Sequence, residues 1–296
     1  MKIRSIVGEN PIIMIVIGVL GISLSSIFVK FSTAPSSVTA AYRLLWTVLL
    51  MTPTVAFSKG NRKEFRMLEM KDLFLSVLSG IFLALHFVTW FESLQHTSVA
   101  SSTTIVCTEV IWVSLGYALF LKGRLSLRAI LAIAVTLIGS TLIAFADSSA
   151  GGAHLYGDLL ALLAAIAVAI YVLIGRVVRA SLSTTVYTYI VYSSCAVVLL
   201  LFCFLQGSSL TGYGVSGVMV GLLLAVFSTI LGHSIFSWCL KYFSPSFVSA
   251  SKLCEPVIAA ILAAFLFGES PAVLQLIGGA MILGGVFYYS MLERET

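Results

Sequence analysis

The chain has 296 residues, of which 59% are hydrophobic and only 10% charged, and its mean hydropathy is +1.09. A soluble domain carries about 25% charged residues, so the composition excludes a water-soluble fold and indicates a polytopic membrane protein. In such a chain the formal net charge of +5 is no sign of a nucleic-acid partner; what matters is where the cations lie along the sequence.

A bilayer core takes about 20 apolar residues per helix. In chain order, ten such spans are expected, at 11–31, 36–57, 72–94, 97–121, 126–146, 156–178, 183–205, 214–240, 246–267 and 271–291. The breaks carry turn chemistry, as in "STAPSS", "SSAGGAHLYGD", "QGSSLTGYG", "FSPS" and "GESP". The first apolar run is too long for the core of a cleavable signal peptide, so none is expected. Five cysteines without a CxxC pair are read as small packing residues, and neither a metal nor any other cofactor is expected.

With the N-terminus in the cytoplasm, the inner segments hold Lys2, Arg4, the cluster Lys59, Arg62, Lys63, Arg66 and Lys71, and then Lys122, Arg124, Arg128, Arg176, Arg179, Lys241 and Arg294. The outer segments hold only Lys30. This asymmetry places both termini in the cytoplasm of a plasma-membrane protein. The 59–71 run reads as a solvated inner loop meeting anionic headgroups.

An offset of 146 to 147 residues maps Lys30 onto Arg176, His86 onto His233, Cys107 onto Cys254, Glu109 onto Glu255 and Gly139 onto Gly285. Each unit, 1–150 and 151–296, then carries five spans. Five is odd, so the second unit enters the membrane from the opposite side. The fold class expected is an all-α integral membrane protein, ten transmembrane helices arranged as two inverted five-helix repeats, a transporter architecture.

The stretches "AAYRLLW" and "LHFVTWFESLQHTSVASSTTIV" in the first half, with "YGDLLALLAAIAVAIYVLIGR", "CEPVIAAILAAFLFGE" and "GGAMILGG" in the second, together resemble the ten-helix, EamA-type branch of the drug/metabolite transporter superfamily. The resemblance spans nearly the whole chain. It implies small organic solutes moved by alternating access, with no substrate specified. Two departures stand out: the Pro of the ninth span is present as Pro256 but replaced by Val110 in the fourth, and the Gly-Glu end is present as Gly268-Glu269 but becomes Gly123-Arg124. The small four-helix relatives carry a proton-binding glutamate in their first helix; spans 11–31 and 156–178 hold no acid within the apolar run, so proton coupling is not inherited.

Four charges fall inside the spans. At about 1.5 Å per residue, Arg43 lies roughly 10 Å and Glu109 about 18 Å below the outer surface, while Lys252 lies roughly 9 Å and Glu255 about 14 Å above the inner one. A charge at helix centre costs around 2.5–3.5 kcal/mol even on the lenient insertion scale, so all four are expected to face one another or a watery cavity. Lys252 and Glu255, three apart, share a helix face and can pair. Pro256 either bends the ninth span to expose a carbonyl or simply kinks it.

His86, with Trp90 and Ser93, and His233, with Thr229 and Ser237, lie on polar faces; the inverted repeat would send one outward and one inward. Each is either a proton group or a neutral imidazole bonded to a helix carbonyl. Trp90, Trp112, Trp238, Tyr42 and Tyr171 either line the cavity or pack. Gly278, Gly279, Gly284 and Gly285 allow close helix contact, within the chain or in a homodimer, so either a monomer or a homodimer fits. Glu109 is the leading proton-coupling candidate, with Glu255, His86 and His233 beside it, because no cation stands three or four positions away on its own helix.

Enzyme motifs are absent, no span has an Asp near its middle, and no filter-like loop suggests a channel. The expected partners are a small-molecule substrate and the lipid bilayer. Arg43 and Lys252 against Glu109 and Glu255 suit a zwitterion such as an amino acid, and the resemblance favours export of amino acids or metabolites. A carboxylate beside Trp112 suits an organic cation of the quaternary ammonium type. In a Cys-free background, cysteines placed at Gly151 and Ser208 should react with an impermeant thiol reagent added outside intact cells, and one at Arg66 should not. The opposite labelling pattern overturns the topology.

Overall fold

The computed structural model describes residues 10–97, 102, 105–147, 155–255, 257–258, 261, 265 and 273–294. Every regular element among them is helical. This is the outcome hydrocarbon demands, since a lipid-exposed backbone must satisfy its own N–H and C=O groups. Six helical stretches are long and apolar enough to cross a membrane, and three shorter apolar ones accompany them. Pro256 and most of the expected ninth span beyond it lie outside the described residues.

The chain begins with α1 (Pro11–Ser23) and α2 (Ser25–Lys30), separated at Leu24. Then come α3 (Ser36–Phe57), α4 (Lys59–Arg66), α5 (Met70–His96), α6 (Glu109–Phe120), α7 (Leu127–Asp147), α8 (Leu155–Val178) and α9 (Thr184–Leu205). The helix α10 (Gly214–Leu223) runs into a π-helical segment, Leu224–His233, and on into α11 (Ser234–Cys239). The next is α12 (Pro245–Ser251), continued by a 3-10 turn over Lys252–Cys254; α13 (Val273–Arg294) closes the fold. Serine hydroxyls cap several starts: Ser183 accepts from Val186 N–H at 3.3 Å and Ser244 from Phe247 N–H at 3.2 Å.

The 59–71 stretch departs from its reading as a loop. Ser58 accepts from Asn61 N–H and nucleates α4. Asn61, Glu64 and Phe65 hold that helix down, through Thr54 O, Ser183 N–H and the Tyr189 ring respectively. Lys59, Arg62, Lys63 and Arg66 occupy the exposed side.

Packing divides the chain into two compact units. One comprises Met1–Val88 with Ile170–Tyr242, the other Thr89–Ala169 with Phe243–Thr296. Packing units and sequence repeats therefore differ: each unit draws helices from both halves of the chain. In the first unit α1 approaches the π segment so closely that a Cβ on Gly21 would stand 2.7 Å from Phe227 O, and α3 packs on α9 and α10. In the second unit α7 lies along α13, and α6 packs against α12.

Polarity is inverted relative to a soluble protein. Large apolar side chains such as Leu49, Leu119, Phe204 and Phe287 are exposed, whereas Arg43, Thr47, Thr188, Ser228 and Thr229 are buried. Exposed apolar surface on this scale is at home only in lipid.

The glycines of α13 are not equivalent. A Cβ on Gly139 would sit 2.6 Å from Gly278 O, and one on Gly285 would sit 2.6 Å from Thr136 Cγ2, whereas one on Gly284 would meet nothing within 4 Å. Gly139→Leu and Gly285→Leu should each destabilise the protein by about 1–3 kcal/mol through overpacking. Gly284→Ala should hold or raise the melting temperature. Thermal melts in detergent check all three, and equal behaviour of Gly284 and Gly285 variants would refute the packing.

Candidate functional site

Each unit buries its own polar cluster. In the first, Arg43 is only 1% exposed on α3. Its Nε donates to Thr229 Oγ1 at 2.7 Å, and its guanidinium lies 4.5 Å from the centre of the Phe87 ring. The guanidinium thus meets a hydroxyl and an aromatic face.

Thr229 is placed by the π segment. Its hydroxyl also reaches Leu224 O at 3.2 Å, and Ser234, five residues on, donates to Thr229 O through both its N–H and its hydroxyl. Runs of i→i+5 bonding are rare and cluster at functional sites. At the end of this segment the His233 ring lies 5.7 Å from Phe87 and 6.2 Å from Tyr171. Tyr171 exchanges a 2.9 Å hydrogen bond with Ser237. The His86 ring is 5.2 Å from Phe87. Both histidines therefore gather around one phenyl ring, instead of parting toward opposite membrane faces as the repeat suggested. Trp238, next to Ser237 in the chain, stacks on Tyr242 at 4.4 Å. Tyr42 instead donates outward to Leu210 O.

In the second unit Lys252 Nζ donates to Glu109 Oε1 at 2.8 Å, with side chains 12% and 8% exposed. This ion pair joins two helices, a contact the spacing of Lys252 and Glu255 along one helix did not point to. Lys252 opens the 3-10 turn after α12, and this tighter winding, with a side chain four carbons long, carries the ammonium across to α6. Glu109 thus meets a cation from another helix, although none stands three or four positions away on its own.

Trp112, one turn from Glu109, buries an indole N–H that has no hydrogen-bond partner among the described residues. Trp90, on the same unit's stretch of α5, tilts against Phe91 at 5.2 Å. All five cysteines are free thiols, and among the described residues no group of three His, Cys, Asp or Glu side chains could hold a metal ion.

Sequence reasoning singled out Arg43, Tyr171, His86 and His233 but not Phe87, the ring that joins them. A phenylalanine in an apolar span carries no sequence signal that separates it from packing residues. Thr229 and Ser237 were legible only as the polar side of His233.

The profile of the EamA-like transporter family matches residues 10–145 and again residues 155–291. The chain belongs to the EamA-like transporter family. It is a multi-pass membrane transporter built from two EamA repeats and is not an enzyme. It is 22% identical over 218 residues to the uncharacterized transporter YxxF of Bacillus subtilis, covering 73% of this chain and 69% of that one. It is 24% identical to an uncharacterized transporter of Clostridium kluyveri over 69% of this chain and 68% of the other. A shorter match to an uncharacterized transporter of Archaeoglobus fulgidus reaches 41% identity over 63 residues, 21% of this chain and 23% of that relative. One solved crystal structure shares the fold, with a TM-score of 0.78 at 16% identity, covering 96% of this chain and 97% of its own.

The pairing in this EamA transporter is tested by a mutant cycle. Glu109→Gln and Lys252→Met should each lose about 3–5 kcal/mol by stranding a buried charge, and the double variant should recover most of it in thermal melts. If Glu255→Gln rescues Lys252→Met and Glu109→Gln does not, the assignment is wrong.

Proposed function

We propose that this protein is a secondary active transporter exporting small zwitterionic solutes, amino acids or close metabolites, by alternating access, with both termini in the cytoplasm. The observation that carries the reading is the state of Arg43: fully buried, with its Nε donating to Thr229 and its guanidinium over the Phe87 ring. A planar, permanently charged donor fork of this kind is matched to a carboxylate. Glu109, also buried, is an acid of the kind that pairs with an amine. An amino acid carries a carboxylate and an amine, the two groups that these side chains recognise. The organic-cation reading is the weaker one, because Glu109 beside Trp112 is already matched to Lys252 and a quaternary ammonium brings no N–H to replace the hydrogen bond it would break.

Proteoliposomes decide between them. Counterflow of radiolabelled amino acids should be seen with wild type, and Arg43→Ala should lower it by about 10- to 100-fold, the worth of a hydrogen bond to a charged group. Arg43→Ala must remain folded by size exclusion for the comparison to count. Counterflow of choline without that of amino acids would replace the reading with its alternative. Imposing a pH difference across the same vesicles tests proton linkage, with His233 and Glu255 as the variants to compare.

A further inference from the structure

Glu109 and Glu255 occupy equivalent positions in the two repeats, yet the positions corresponding to Lys252 in the first repeat are the apolar Ile105 and Val106. The carboxylate thus recurs in both repeats and the lysine in one only. Lys252 Nζ stands 2.8 Å from Glu109 Oε1, and both side chains are largely buried. A buried carboxylate calls for a cation, and the cation Glu109 meets is a primary ammonium on a flexible tether.

From this geometry we infer that Glu109 heads a binding subsite for a primary ammonium group, and that Lys252 is its resident occupant, standing in for the amino group of the transported solute. The inference rests on the proposed transport of amino-bearing solutes and names the group that receives the amine. Three observations support exchange rather than a permanent lock. First, a single N–H···O contact of 2.8 Å joins the pair. An arginine would close a bidentate fork, whereas an ammonium is a point charge that another ammonium replaces one for one. Second, Lys252 sits where α12 tightens into its 3-10 turn, a kind of junction that often marks a hinge, and Glu255 lies one turn further on the same chain. Third, Trp112 offers a buried indole N–H with no partner among the described residues, one turn from Glu109. A buried donor without an acceptor is costly, and an acceptor oxygen on an incoming solute satisfies it while the solute's amine takes the lysine's place.

The test uses ethylammonium, which reproduces the end of a lysine side chain, on purified full-length protein. Lys252→Ala opens the subsite. Its melting temperature should rise by several degrees with ethylammonium chloride, with a half-maximal concentration at least tenfold below that for any effect on wild type. Sodium chloride at equal ionic strength should do nothing, and tetramethylammonium, which lacks N–H donors, should not substitute. The double variant Glu109→Gln/Lys252→Ala should not respond. If Lys252→Ala yields no folded protein alone, extraction in ethylammonium should restore a monodisperse peak; Lys252→Gln, which keeps a donor for Glu109, provides a folded variant for the same titration. No ethylammonium response in any of these variants, or an equal response without Glu109, overturns the inference. The two levels separate cleanly. Rescue by ethylammonium while wild type shows no counterflow of any amine-bearing solute leaves the subsite and sinks the transport reading. Normal counterflow without rescue sinks the subsite alone.

Discussion

Hydrocarbon offers no hydrogen-bond partner and no counter-ion, and each polar feature of this protein is arranged around that fact. Backbone groups are consumed within helices. Hydroxyls in mid-span turn back onto their own helix, as Ser23 does to Val19 O and Thr47 to Arg43 O. A charge cannot be treated so cheaply. Arg43 needs a hydroxyl from a different helix and a π face, and Lys252 needs a carboxylate from another helix. The buried charges therefore dictate which helices must meet, whereas apolar contacts between helices immersed in lipid have little hydrophobic reason to choose one partner over another.

The second rule is close approach. Small residues let helix backbones come near, and van der Waals contact then supplies what the hydrophobic effect supplies in water. Gly21 on Phe227 O, Gly139 on Gly278 O and Gly285 on Thr136 are places where a side chain would push helices apart. Near the first of these lies the π segment, with Gly232 against Ile22. Local backbone irregularity and tight helix contact thus coincide, and the same segment delivers Thr229 to Arg43. The corresponding stretch of the first repeat, within α5, is plain α-helix.

The two repeats have consequently diverged in the positions that carry chemistry. The carboxylates Glu109 and Glu255 and the histidines His86 and His233 repeat; Arg43, Lys252, Pro256 and the π segment do not. The repeats supply a symmetric frame of helices, and the unpaired additions give its two halves different chemistry.

The membrane class, the helical fold, the two repeats and the presence of Arg43 and Glu109 inside apolar spans were legible in the chain itself, because hydropathy, helix length and the cost of a buried charge are local properties written into windows of about 20 residues. Three things were not. Lys252 and Glu109 stand on helices far apart in the sequence, and only the packing of α12 on α6 brings that ammonium to that carboxylate. The repeat boundary divided the chain at its middle, whereas the packing units interleave both halves, because helix contacts follow shape and not chain order. Phe87 and the wound-out turn at Thr229 became visible only in three dimensions, since a ring among apolar residues and a change in helical pitch leave the one-dimensional pattern of polarity unaltered.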